Sequence, residues 1–220
     1  MSGYEALARL REGNRRFVAS LADTAPAVSQ TRRLALADGQ QPFAIVLGCS
    51  DSRVPAELVL GQGFGDLFVI RVAGNIVAPS QVGSVEFAAA RFGTRLVVVL
   101  GHTECGAITA TIEELCQPTL HQSAGLRAIV ERIRPAVEPL LATPLREQAP
   151  TLVAPAVRAN VRAAADHLRH GSAILERLVA QDGLLIVGAE YCLRTGVVDF
   201  FDGAPEGPGD LAPAGESPAA

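Results

Sequence analysis

Four segments of the chain, FAIVLG (43–48), DLFVIRV (66–72), RLVVVLG (95–101) and GLLIVGA (183–189), are short, almost wholly apolar and bounded by polar or glycine-bearing turns. Strands that alternate in and out would show polar residues at every second place. These do not, so they read as strands buried on both faces, as in a parallel sheet with helices above and below. The segments between them fit that arrangement. PSQVGSVEFAAARF (79–92) and CGAITATIEELC (105–116) are helical in composition, and 122–141 and 155–181 are longer Ala-, Leu- and Arg-rich helical stretches. Pro135, Pro139, Pro144, Pro150 and Pro155 are expected to break the middle of that region into pieces. A turn at 194–196 precedes a last edge strand at 197–201. The expected fold is therefore α/β: a mostly parallel central sheet of four strands plus an antiparallel edge strand, flanked by helices.

The ends of the chain differ from this middle. Residues 4–19 form an amphipathic helix with Leu7, Leu10 and Phe17 on one side, and a second short helix runs through TRRLALADG, ending at Gly39. No local partner for that apolar stripe is evident in the sequence, so residues 1–40 are expected to be a helical arm that packs on a partner subunit. Residues 41–203 form the α/β domain. From 204 to 220 the chain is Pro, Gly, Ala and acid, the composition of a disordered tail.

Charge and hydropathy exclude several classes. The net charge of −4 favours neither nucleic acid nor an anionic membrane as a partner. The first residues, MSGYEALARLREGNRRF, carry charge throughout, unlike a secretory signal, and no apolar run approaches the ~20 residues needed to cross a bilayer. A cytoplasmic, reducing location follows, where Cys49, Cys105, Cys116 and Cys192 act as ligands, nucleophiles or core residues rather than disulfides.

Open α/β sheets carry their sites at the carboxyl ends of strands. The first strand runs directly into GCSDSR, which sets Cys49, Asp51 and Arg53 two residues apart and so, in extended chain, on one side. The third strand runs into GHTECGA, with His102 and Cys105 one helical turn apart. Alone, each cluster is commonplace. Two apolar strands ending this way offer a Cys₂His set, which suits zinc with a fourth position left for water or substrate. A phosphate-cradling cysteine loop is a poorer reading, because Arg53 follows Cys49 by four residues rather than six. A purely structural zinc site would need a fourth durable ligand, and the candidate is Asp51.

The motifs CSDSR, RVAGN (71–75), GSVEFA (83–88) and GHTECGA (101–107) together resemble the β-class carbonic anhydrases over about residues 4–115, with a weaker echo in VGAEYCLRTG (187–196). The resemblance implies that Cys49, His102 and Cys105 bind one Zn²⁺ per subunit and that Asp51 and Arg53 are the catalytic pair. It implies that Gln40 orients substrate and that Phe68, Ala73 and Phe87, the last often Tyr in the family, line a small apolar pocket. It further implies a homodimer or a multiple of dimers, an active site at the dimer interface with Gln40 and pocket residues lent across it, and hydration of carbon dioxide to bicarbonate. One branch of the family lets the aspartate cap the zinc, with a Trp before the first Cys as part of a bicarbonate pocket. This chain has no Trp, and Val46 stands at that position, so the open, water-bearing form is expected.

Two rival functions share these residues. Relatives of this fold hydrolyse carbonyl sulfide or carbon disulfide on the same ligands, and a non-catalytic zinc-binding assembly subunit could keep the fold, although the intact Asp51–Arg53 pair argues against the latter. Cys116 and Cys192 are read as inert, Cys116 as a packing residue, and His121, His167 and His170 as surface residues. Arg71, Gly74 and Asn75 read as a strand-end turn.

Overall fold

The computed structural model describes residues 1–19, 29–118, 123–144 and 149–205. Five strands form one sheet: β1 (Ala44–Gly48), β2 (Leu67–Arg71), β3 (Leu96–His102), β4 (Leu185–Tyr191) and β5 (Val198–Asp202), in the order β2-β1-β3-β4-β5. β1 to β4 are mutually parallel and β5 runs antiparallel to β4, as the apolar runs imply. The helices are α1 (Gly3–Val18), α2 (Gln30–Ala35), α3 (Ala56–Val59), α4 (Pro79–Arg91), α5 (Gly106–Cys116), α6 (Ala124–Leu141), α7 (Ala149–His170) and α8 (Ala173–Gln181).

Alternate strand residues build two cores, which explains the lack of polar positions. On one face Ala44, Val46, Leu96, Val98, Leu100 and Val187 meet α1 and α3. On the other, Ile45, Leu47, Val97, Val99 and Ile186 meet α4, α7 and α8. A third cluster lies beyond the carboxyl ends of β1 and β3, where Ile108, Ile112, Ile133, Val137 and Val157 from α5, α6 and α7 surround Cys49 and Cys105. This cluster places the strand-end thiols in an apolar enclosure.

Two expectations change. The apolar stripe of α1 has a partner within its own chain: Ala6, Leu7 and Leu10 lie in the core against the sheet. Buried Asn14 fixes the helix there, its Nδ2 donating to the Val59 and Gly196 carbonyls at 2.8 Å each and its Oδ1 accepting from the Val198 amide at 2.9 Å. The sequence could not show this partner, because α3 and β5 lie about 45 and 184 residues away along the chain. Nor do the prolines all act as breaks. Pro135 and Pro139 lie inside α6 and Pro155 inside α7. Pro135 and Pro139 are exposed, so water can serve the carbonyls that lose a donor, while Val130, Ile133 and Val137 hold the other face of α6. The long stretch 155–181 is instead divided after His170, with Ser172 capping α8 through the Leu175 amide. From residue 206 the expected tail lies outside the described residues, as does His121.

Asn14→Ala removes the partner of three backbone groups at once, and each buried group left unpaired costs about 1–3 kcal/mol. The variant is expected to unfold at a clearly lower urea concentration than the parent, and an unchanged midpoint would contradict the intrachain docking of α1.

Candidate metal centre

Each functional side chain is delivered by the end of an element. β1 stops at Gly48 and hands over Cys49, β3 has His102 as its last residue, and Cys105 is the residue that caps the N-terminus of α5. All three are buried, His102 completely. Their ligand atoms lie within 4.8 Å of one another, a spacing that lets one ion touch all three.

The imidazole is oriented for that purpose. Nδ1 of His102 is 2.9 Å from the Thr103 carbonyl, which can only accept, so Nδ1 carries the proton. Nε2 is then a bare lone pair, and it is buried with no hydrogen-bond partner among the described residues. A buried acceptor left without a partner is costly, and coordination to a cation offsets that cost.

The two thiols make the same demand electrostatically. Cys49 is pushed down, first by the hydrogen bond from the Cys105 thiol and also by the Gly74 amide, against the opposing effect of burial. Cys105 is pushed up by that same hydrogen bond, by burial and by the charge on Cys49. The two sulfurs therefore compete for protons, and a cation held between them would relieve that competition. The Gly74 amide lies 3.3 Å from the Cys49 sulfur, and Gly74 takes a left-handed φ of 70° in the short turn Ala73–Asn75. A Cβ there would strain the backbone and come within 2.7 Å of Ile133 Cδ1, which would have to move, so glycine suits this position. Asn160, buried on α7, closes this support by donating to the Gly74 carbonyl at 2.8 Å.

Beside the donors stands the carboxylate–guanidinium pair. Arg53 grips Asp51 with both arms, Nε to Oδ1 at 2.9 Å and Nη2 to Oδ2 at 2.7 Å, and its own amide donates to Oδ1 at 2.9 Å. That grip holds the Asp51 carboxyl well below the usual carboxylate range. Oδ2 lies 3.8 Å from Nε2 of His102, so the carboxylate borders the space toward which the imidazole lone pair is directed. Arg53 also donates to the Glu104 carbonyl at 3.1 Å. Glu104 occupies the left-handed region at φ 56°, rare for a side chain of its kind, within the tight His102–Cys105 turn.

The remaining sequence-derived residues are distributed unevenly. Ala73 lies in the turn that supports Cys49, beside that thiol. Phe68 pairs in register with Ile45, three places before Arg71 reaches Gly48, and so sits down the strand from the carboxyl end. Phe68, Phe87 and Phe92 form an aromatic triangle with ring centroids 5.6–6.2 Å apart, and Phe87 is 54% exposed. Gln40 is exposed and precedes β1, at the opposite end of that strand from Cys49. The chain thus brings Cys49, Asp51, Arg53, Ala73, His102 and Cys105 together and leaves Gln40, Phe68 and Phe87 apart from them. Cys116 is exposed rather than packed, being the last residue of α5 beyond its final buried position, Ile112. The sequence reading gave no role to the Glu104 carbonyl, to Asn160 or to the side chain of Arg71. All of these act on or through backbone atoms, which leave no signature in residue type.

A five-stranded α/β sheet that gathers two thiols, an imidazole and a braced carboxylate at its strand ends has the make-up of a metal-dependent enzyme. Comparison with known proteins makes this specific. A family profile described as carbonic anhydrase matches residues 44–198. Carbonic anhydrase 2 of Mycobacterium tuberculosis is 38% identical over 187 residues, 85% of this chain and 87% of that protein. A carbonic anhydrase of Pseudomonas aeruginosa is 38% identical over 188 residues, 83% of each chain. Among solved structures, the β-carbonic anhydrase CafA of Aspergillus fumigatus superposes with a TM-score of 0.70 at 27% identity, covering 92% of this chain and 91% of its own. The chain belongs to the carbonic anhydrases, a family of lyases, and within them to the β class.

Replacing one donor should abolish tight metal retention while sparing the fold. Cys105→Ser is expected to bind zinc at least about 100-fold more weakly than the parent, since even outer-shell changes cost 10–100-fold. Metal content after dialysis against a chelator measures this, and full retention would contradict the ligand assignment.

Proposed function

We propose that this chain catalyses the zinc-dependent, reversible hydration of carbon dioxide to bicarbonate and a proton. The observation that carries the reading is the placement of Asp51, gripped by Arg53 at 2.7 and 2.9 Å and still at the border of the donor cluster. Two thiolates and an imidazole select zinc over calcium or magnesium. Zinc held by such a set acidifies water to near neutral pH, which supplies the nucleophile that carbon dioxide requires.

The chain's own residues then have distinct tasks. Asp51, lacking a proton, can only accept a hydrogen bond, so it fixes the nucleophile's proton and leaves a lone pair facing the substrate. Arg53 keeps that carboxylate ionised and in place, and its second bond, to the Glu104 carbonyl, ties the pair to the turn that carries two of the ligands. Because Arg53 lowers the Asp51 pKa, the acceptor role persists at every pH above the usual carboxylate range and is lost only on acidification below it.

Carbon dioxide is apolar, which suits the Ala73 side of the site. Gln40, Phe68 and Phe87 act at the site of a second copy of the chain, with Gln40 hydrogen-bonding an oxygen that gains charge in the transition state. Their separation from the chain's own donors and the exposure of Phe87 support that assignment. No described helix is long and apolar enough to cross a membrane, and the need for two reduced thiols favours a cytoplasmic setting.

Asp51→Asn keeps the shape but can no longer act as a pure acceptor. It is expected to bind one equivalent of zinc and to lose about 10²–10⁴-fold in kcat for carbon dioxide hydration, the usual reach of a positioned proton-handling group. Full activity in that variant would remove Asp51 from the mechanism. Analytical ultracentrifugation at micromolar concentration is expected to show a dimer or a multiple of dimers, and a fully active monomer would contradict the lent residues.

A further inference from the structure

We propose that Arg71 is a positioning residue for the Asp51 carboxylate, acting through the backbone of the loop that carries it. This rests on the reading that Asp51 orients the nucleophile. Arg71 is the last residue of β2 and pairs in register with Gly48, the last residue of β1. The ladder between these strands ends with the Val72 amide on the Gly48 carbonyl at 3.1 Å. Past that point the chain leaves the sheet as the loop Cys49–Arg53, and a side chain takes over from the ladder. Arg71 Nε donates to the Cys49 carbonyl at 3.0 Å, and Nη2 donates to the Asp51 carbonyl at 2.6 Å.

The guanidinium is planar and rigid, so holding both carbonyls fixes their separation and the orientation of the loop between them. One of those carbonyls belongs to a metal donor and the other to the carboxylate that works beside it. The Asp51 carbonyl also accepts from the Val54 amide at 3.1 Å, which closes a turn, and Oδ1 accepts from the Arg53 amide at 2.9 Å. The carboxylate is thus set by a chain of short contacts: Arg71 fixes the turn, the turn presents the Arg53 amide, and the amide and guanidinium of Arg53 hold the oxygens. The side-chain hydrogen bonds of Arg71 go to the Cys49 and Asp51 carbonyls, and its effect on the reaction passes through the loop backbone. A lysine at this place offers one compact ammonium and cannot span the two carbonyls in the same plane.

A double-mutant cycle separates positioning from mere support of the fold. Arg71→Lys, Asp51→Asn and the double variant are each loaded with zinc and assayed for carbon dioxide hydration, and each is loaded with cobalt for its visible spectrum. R71K is expected to keep one equivalent of metal and to lose about 10–100-fold in kcat with little change in KM. On the D51N background the same substitution is expected to change kcat by less than about twofold, because the group it positions has already been disabled. The cobalt spectrum of R71K should differ from the parent's, while that of R71K with D51N should match D51N alone. Parental kcat in R71K, equal losses on both backgrounds, or loss of metal or fold in R71K would each overturn the proposal while leaving a slow D51N and the role of Asp51 intact. A fully active D51N would overturn that role, and the proposal with it.

Discussion

Two sulfurs and one imidazole nitrogen, within 4.8 Å of one another and shut away from water, cannot all be content in an apolar enclosure. The hydrogen bond to Cys49 and burial together push the Cys105 thiol up, and the imidazole lone pair has no donor among the described residues. Placing such atoms together costs stability unless a cation repays it, and the rest of the molecule can be understood as the scaffold that imposes the arrangement. The parallel sheet sets the ends of β1 and β3 side by side, and Gly48 pairs in register with Leu100, two residues before His102. The α5–α6–α7 cluster then excludes water from the donors.

What distinguishes the centre from a closed structural site is the company kept by Asp51. A carboxylate 3.8 Å from the imidazole nitrogen is near enough to compete for a cation. Three donor atoms from Arg53 occupy its oxygens instead, and this guanidinium is itself tethered to the Glu104 carbonyl. The left-handed Glu104 is therefore more than a tight turn: its conformation presents the carbonyl that anchors the pair. Strain of this kind persists only where neighbouring contacts over-determine it, and here the flanking residues His102 and Cys105 are both buried.

The strands and the gathering of Cys49, His102 and Cys105 at their ends were legible in the sequence because they rest on residue type and on position directly after apolar runs. Unbroken runs such as VVVL can be satisfied only by burial on both faces, and a thiol or imidazole immediately after such a run falls at a strand end. The docking of α1 was not legible. It depends on Asn14 meeting three backbone groups distant in sequence, and a single Asn in an amphipathic helix looks like solvent-facing polarity. The prolines of α6 misled for a related reason, since local propensity yields when a buried stripe on the opposite side of the helix supplies the stability. The clamps made by Arg71 and Arg53 on carbonyl groups were hidden as well, because any residue supplies a carbonyl. Resemblance assigned Gln40, Phe68 and Phe87 to the site, yet one chain keeps them apart from it.

The most direct measurement is stopped-flow hydration of carbon dioxide by the zinc-loaded protein, scanned from about pH 6.5 to about pH 9, where the essential acid–base groups report themselves. With Asp51 held by Arg53, strong activity is expected already near neutral pH. Activity confined to the alkaline end would show that Asp51 caps the ion at rest, and no activity with zinc bound would contradict carbon dioxide hydration as the function of this centre.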